Sequence, residues 1–298
     1  MNRTIVHSYA KLNLYLNVLG KRKDNYHDIE TLFERISLCD KIILKILPDG
    51  EIKVSSNMPG LPQDNSNLAY KAASILQKAC GTSKGVEIRI IKRIPVGSGM
   101  AGGSSNSAAV LSGLNKLWGL KINRQELVHL AKKIGADVPF FIYDSPFALG
   151  KGRGDRIRTL KALNKRKFWH VIIVPRISVS TPSIYREWDK LKVSSRALTQ
   201  ALTMGKNNVK ILTSALKKNN PFLIEKALFN SLEQVTASIY GEIGKIKSRL
   251  VRLGQRAILM SGSGPTVFCF ISSRKEGERL YAQLKKNRFW QVFVAHTY

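Results

Sequence analysis

Between Pro95 and Ala109 the chain reads PVGSGMAGGSSNSAA, and no other segment limits so strongly what it can fold into. The residues before it, VEIRIIKRI, carry the apolar pattern of a strand. Those after it, SSNSAAVLSGLNKLWGL, read as a helix with Ser104 or Ser105 at its start and Gly119 at its end. Strand, glycine loop and helix therefore follow in series. Four glycines at such a junction make a backbone that can curl round a ligand and aim free N–H groups at it, which is an anion cradle. Gly97, Gly99 and Gly102 satisfy G-x-G-x-x-G, but a dinucleotide site expects an acid about 20 residues on, and Leu117 to Asn123 contain none. A Walker loop needs a lysine after its last glycine, and Ser104 stands there. The pattern calls for a phosphate loop of a third kind.

Upstream, TIVHSYA, LNLYLNVLG, DIETLFERISL, KIILKIL and EIKV read as strands, with Asp49 and Gly50 marking a hairpin. SNLAYKAASILQKAC is a helix capped by Asn67 or Ser66, and RQELVHLAKKIG is another that stops at Gly135. ADVPFFIYDSPFALGKGRGDRI is turn-rich and ends a first lobe. FWHVIIVP then begins a second lobe, with two or three helices from about Ser195 to Leu253 and strands in RAILMSGSGPTVFCFI and FWQVFVAHTY. At 298 residues the length suits two units, taken as 1–155 and 156–298. Grouped rather than alternating helices favour an α+β fold.

The formal net charge is +29: residues 1–150 hold 20 Lys and Arg against 12 acids, and the remainder 29 against 8. Such a balance suits a nucleic-acid binder or an enzyme of phosphorylated substrates. The basic residues form only short clusters, with no aromatic-flanked tract, so a solvated surface is favoured over nucleic-acid binding. No segment reads as a membrane helix or signal peptide, which points to a cytoplasmic protein. Cys39, Cys80 and Cys269 are too scattered for a disulfide framework or a zinc site and read as free, buried thiols.

The glycine segment, with its Gly-Ser-Ser ending, resembles the phosphate loop of the GHMP kinases. AKLNLYLNVLGKRKDNYHDIETLF, GADVPFF and SGSGPTVF resemble further signatures of one branch of that family, in the same order along nearly the whole chain. The resemblance implies a two-lobe GHMP kinase fold, with an N-terminal lobe like domain 2 of ribosomal protein S5 and a ferredoxin-like C-terminal lobe. It also implies ATP with Mg²⁺ as cofactors and CDP-methylerythritol as the small-molecule substrate, phosphorylated on its 2-hydroxyl. Oligomeric state stays open.

An alcohol needs a base to take its proton during phosphoryl transfer, and Asp137 in GADVPFF is the candidate. Lys11 and Asn13 share one face of a strand, with Leu12, Leu14 and Leu16 on the other. By resemblance Lys11 lies beside Asp137 as its electrostatic partner, while Asn13 orients the substrate. The loop residues Pro95, Val96, Gly97, Ser98, Gly99, Met100, Ala101, Gly102, Gly103, Ser104 and Ser105 would hold the ATP phosphates, with Ser105 the hydroxyl expected to reach a phosphate or its magnesium. Asn67, Lys92 and Asn106 match positions at the adenine and ribose end. Tyr26 and His27 would stack on and hydrogen-bond the cytosine, with Tyr185, where the resembling enzymes often carry Phe, closing an aromatic sandwich. Gly262 and Gly264 sit between two strands and are expected to pack on the phosphate loop. No residue is assigned as a metal ligand, and His7, His129, His170 and His296, without evident acid partners, read as structural.

Overall fold

The computed structural model describes residues 2–194 and 209–298. Strands β1 (Arg3–Lys21) and β2 (His27–Leu47) pair antiparallel along nearly their whole length. The sequence reads four strands here. Bulges at Tyr9/Ala10, Asn13/Tyr15 and Val18/Gly20 bend the pair without ending it, which fuses four into two. The 21 residues of β2 serve two further neighbours, β4 (Gly85–Ile91) along 41–47 and β5 (Phe147–Gly152) along 29–34. β3 (Ile52–Ser56) runs parallel to β4, and β6 (Arg156–Thr159) pairs with β5. Asp49 and Gly50 therefore close no hairpin. β4 comes between β2 and β3, because the apolar residues of β4, Ile88 and Ile90, pair with Leu44 and Ile42 of β2 and bury that edge.

Helices α1 (Leu68–Cys80), α2 (Gly102–Leu117), α3 (Arg124–Ile134) and α4 (Val138–Ile142) complete the first lobe. Asn67 caps α1, its Oδ1 accepting from the Ala69 N–H at 2.9 Å. Asn123 and Glu126 form a capping box on α3. The stretch after Gly135, expected to be turns, holds α4 and the β5–β6 hairpin. The first sheet thus continues past residue 155, and it also takes in β8 (Phe229–Asn230), parallel to β1.

In the second lobe β7 (Trp169–Pro175), β9 (Ile258–Met260), β10 (Val267–Ile271) and β11 (Trp290–His296) form an antiparallel sheet in the order β11-β7-β10-β9. Between β7 and β9 lie α5 (Thr181–Ser194), α6 over 209–218, α7 (Pro221–Ala227), α8 (Glu233–Ile239) and α9 (Glu242–Arg252); α10 (Arg274–Leu284) follows β10. This is α+β, as expected, with more helices than the two or three anticipated. The expected start of that helical run, 195–208, lies outside the described residues. Among them, no helix is long and apolar enough to cross a membrane.

One core lies between α1–α3 and the first sheet, around Leu44, Leu76, Ile88 and Leu114. Another packs α5, α9 and α10 on the second sheet around Trp188, Ile246 and Leu280. A third, containing Leu12, Leu32, Phe147, Ile172 and Phe268, is shared by both lobes and fixes the cleft between them. The same seam corrects two readings. His170 does have an acid partner, with Nε2 3.0 Å from Glu34 Oε1, both residues fully buried between the sheets. Of the cysteines only Cys269 is buried, Cys39 being half-buried and Cys80 exposed.

Candidate active site

A cleft of about 990 Å³ runs between the lobes, with the glycine loop at one end and the β1–β2 turn at the other. The loop is built on backbone conformations that few residues adopt: φ is 67° at Gly97, 77° at Gly99 and 56° at Ala101, the residue before α2. α2 begins at Gly102, earlier than the serines, and its first internal bond runs from the Ser105 N–H to the Ala101 carbonyl at 2.9 Å. The N–H groups of Gly102, Gly103 and Ser104 have no intrahelical acceptor and stand at the positive end of the helix. All three residues line the cleft.

The loop is pinned from several sides. The Lys11 N–H donates to the Met100 carbonyl at 3.2 Å. Thr266 Oγ1 donates to the Ser98 carbonyl at 2.6 Å, so the SGSGPT turn packs on the loop as anticipated. A Cβ on Gly99 would lie 2.7 Å from the carbonyl oxygens of both Ser261 and Gly264, which is why only glycine fits there. Ser98 Oγ is buried in the cleft wall without a hydrogen-bond partner among the described residues, a group that a bound phosphate oxygen would satisfy.

Two loop residues do not face the cleft. Met100 is fully buried in the shared core. Ser105 is buried too, and its hydroxyl accepts from Ser8 at 2.8 Å beneath the helix, so it does not reach toward a phosphate. Ser104, one residue earlier, lies on the cleft side. Lys92 and Asn106 line the cleft but are held from below by the fully buried Asp40. Its Oδ2 takes the Lys92 ammonium at 2.5 Å and the Asn106 amide at 2.8 Å, while its Oδ1 takes the Arg93 and Ile94 N–H groups. A buried carboxylate with four donors is well compensated, and it ties the end of β4 to the first turns of α2. Asn67 reaches the cleft wall from its capping position.

At mid-cleft, Lys11 Nζ lies 3.6 Å from Asp137 Oδ2, with the lysine side chain 5% and the aspartate 34% exposed. The ammonium also donates to Asn13 Oδ1 at 2.5 Å and sits 5.5 Å from the centre of the Phe33 ring. Asp137 precedes α4 and makes no capping bond, so its carboxylate stays available at the cleft wall. Asn13 shares the Lys11 face as expected, its amide donating to Thr31 Oγ1 at 2.8 Å. Leu12 and Leu14 are in the shared core, but the bulge after Asn13 turns Leu16 to the cleft side.

At the far end His27 stacks on Tyr185 with ring centres 4.7 Å apart. Its Nε2 lies 2.8 Å from Asp189 Oδ1, so this edge already has a protein partner. Burial, and after it the Asp137 charge, push the Tyr185 phenol well above its ordinary pKa. Tyr26 is 54% exposed and lies under the Arg153 guanidinium at 5.0 Å. The two tyrosines expected to sandwich a base therefore have one face each against His27 and Arg153. Sequence reasoning missed Asp189 and Arg153. Asp189 lies one helical turn after Tyr185, and that i,i+4 spacing was the available signal.

A cleft with helix-terminal N–H groups at one end, a Lys–Asp pair in the middle and aromatic rings at the other is the site of a small-molecule kinase. The family described as GHMP kinases N terminal domain matches residues 67–145, and that described as GHMP kinases C terminal matches 212–289. The 4-diphosphocytidyl-2-C-methyl-D-erythritol kinase of Bacillus velezensis is 40% identical over 93% of this chain and 91% of its own. That of Alkaliphilus oremlandii is 37% identical over 100% and 98%. A solved 4-(cytidine 5'-diphospho)-2C-methyl-D-erythritol kinase superposes with a TM-score of 0.78 at 30% identity, covering 98% of each chain. Mevalonate kinase of L. major shares the fold, with a TM-score of 0.80 at 16% identity. The chain belongs to the GHMP kinases and, within them, to the 4-diphosphocytidyl-2-C-methyl-D-erythritol kinases.

Proposed function

We propose that the chain transfers the γ-phosphate of ATP to the 2-hydroxyl of 4-diphosphocytidyl-2-C-methyl-D-erythritol, with Asp137 as base and Lys11 as its electrostatic partner. The observation that carries this reading is the double role of Lys11, whose backbone N–H holds the phosphate loop at Met100 while its ammonium faces Asp137. One residue thus sets the distance between the phosphate donor and the base, and such positioning is a large part of phosphoryl transfer. The N–H groups of Gly102, Gly103 and Ser104 and the Ser98 hydroxyl hold the ATP phosphates. When bound with ATP, Mg²⁺ would supply neutralisation of the phosphate charge beside the loop.

Asp137 accepts the hydroxyl proton as the new O–P bond forms, and the bond to ADP breaks with its electron pair left on the ADP oxygen. Lys11 stabilises the charge that develops on the acceptor oxygen and on the transferring phosphoryl group. Tyr26, His27 and Tyr185 hold the cytosine, which a mevalonate or homoserine substrate would lack.

An ADP-release assay with ATP and Mg²⁺ tests the assignment. Turnover is expected with the cytidine substrate and not with mevalonate or homoserine. Equal turnover with either control, or none with the cytidine compound, would contradict it.

A further inference from the structure

The face of the first sheet turned away from α1 and α2 carries a charge pattern that the kinase reaction does not use. The strand register places Arg3, Lys45, Glu87 and Lys53 in one row across β1, β2, β4 and β3. Ile5, Ile43, Arg89 and Ser55 form the next, and His7, Lys41 and Ile91 the third. Rows lie about 6.6 Å apart, two residues of strand. Arg3, Lys45 and Arg89 are exposed and line a hollow with Ile43 and Glu87, and with Lys41 and Arg93, two residues beyond β4, they make five cations that form no salt bridge with an acid among the described residues. Lys53 alone is paired, with Glu51, and Glu87 is the one acid in these rows.

A line of rings borders these rows, assembled from opposite ends of the chain. His7 and Tyr9 have ring centres 6.3 Å apart, and Tyr9 stacks on Tyr298 at 3.7 Å and 21°. Arg35 lies over both tyrosines at 5.6 and 5.4 Å, its charge met by Asp144. Tyr298 is 47% exposed, and Arg35 Nε also donates to its carbonyl oxygen at 3.1 Å. None of these residues lines the kinase cleft.

We infer that this face binds single-stranded nucleic acid, with Arg3, Lys41, Lys45, Arg89 and Arg93 contacting phosphates and the Tyr298–Tyr9 stack receiving a base. Cations beside exposed rings are the combination that single strands require. A second copy of the chain would set like charges against each other, and an anionic membrane, which also takes cations and interfacial tyrosines, is the alternative that the vesicle arm of the test separates. The net charge of +29 allows such binding, but the surface itself is not legible in the sequence, because its rings and cations come together only through the β1–β2–β4 register and the return of the C-terminal strand.

Fluorescence anisotropy with a labelled 12-nucleotide oligouridine tests the inference, in the presence of saturating ATP and Mg²⁺ to fill the cleft. Wild type is expected to bind with an affinity that falls linearly on a log–log salt plot. The triple substitution Arg3→Ala/Lys45→Ala/Arg89→Ala should weaken binding more than tenfold and make the slope shallower by about 2, at roughly 0.7 per lost phosphate contact. Tyr298→Ala should weaken binding about 5- to 100-fold at an unchanged slope. Both variants should keep kinase turnover, which shows that they fold. Absence of binding at about 50 mM salt in the presence of ATP, or an affinity and slope indifferent to the triple substitution, would each overturn the inference. So would binding to phosphatidylserine vesicles without binding to the oligonucleotide.

Discussion

Lys11 and Asp137 face each other at 3.6 Å across the join between β1 and α4, the cation almost wholly buried and the carboxylate open to the cleft. An ammonium so placed is stable only with partners, and Asn13, Asp137 and the Phe33 ring provide them. Its location on a strand, tied by backbone to the phosphate loop, gives this pair a fixed position relative to the nucleotide.

Lys11→Met removes the charge and keeps the length of the side chain. The expected result is a fall in kcat of about 10²- to 10³-fold, with the ATP dissociation constant changed far less. A variant that loses ATP binding and turnover equally would mean that Lys11 serves the loop rather than the transfer.

Gly99 and Gly97 separate close packing from conformation. Both have positive φ, but a Cβ meets backbone oxygens at 2.7 Å at Gly99 and nothing within 4 Å at Gly97. Gly99→Ala should force the loop from the Ser261–Gly264 turn and raise the KM for ATP more than tenfold, with a loss of stability of about 1–3 kcal/mol. Gly97→Ala should cost clearly less in both measurements.

Ser98 and Ser105 have opposite roles. Ser105→Ala removes the bond from Ser8, so thermal unfolding should show a loss of about 1 kcal/mol while the KM for ATP stays within about twofold. Ser98→Ala deletes a buried hydroxyl with no partner among the described residues and should leave the melting temperature unchanged or raised, with a higher KM for ATP.

Burial pushes the Cys269 thiol up to about 12 and the Tyr15 phenol up to about 12. The folded protein therefore keeps protons that the unfolded chain releases from about pH 9 for the thiol and pH 10 for the phenol. Stability is fully present below pH 9 and falls as pH rises toward 12, because the native state binds more protons. Urea midpoints between pH 8 and 11 should fall, and Cys269→Ala should fall less steeply; parallel curves would contradict the assignment to Cys269.

Much of the site was legible in the sequence because its parts are local. The glycine loop is a short motif whose residue types state its chemistry, the GADVPFF segment and the Lys11–Asn13 face take theirs from the resemblance to the GHMP kinases, and the structure brings the loop, Lys11 and Asp137 to one cleft. What could not be read depends on pairing between distant segments. Asp49 and Gly50 look like a hairpin until β4 is seen to lie between β2 and β3. Leu16 changes sides because of a bulge, Ser105 turns under its helix to meet Ser8, and His170 finds Glu34 only when the two sheets close on each other.

The central claim is that Asp137 takes the proton of the acceptor hydroxyl. Its most direct test is the turnover of Asp137→Asn, measured by ADP release with ATP, Mg²⁺ and 4-diphosphocytidyl-2-C-methyl-D-erythritol, alongside ATP and substrate affinities. A kcat reduced about 10²- to 10⁴-fold with both affinities retained is the predicted result. A variant that binds both ligands and turns over within a few-fold of wild type would contradict it.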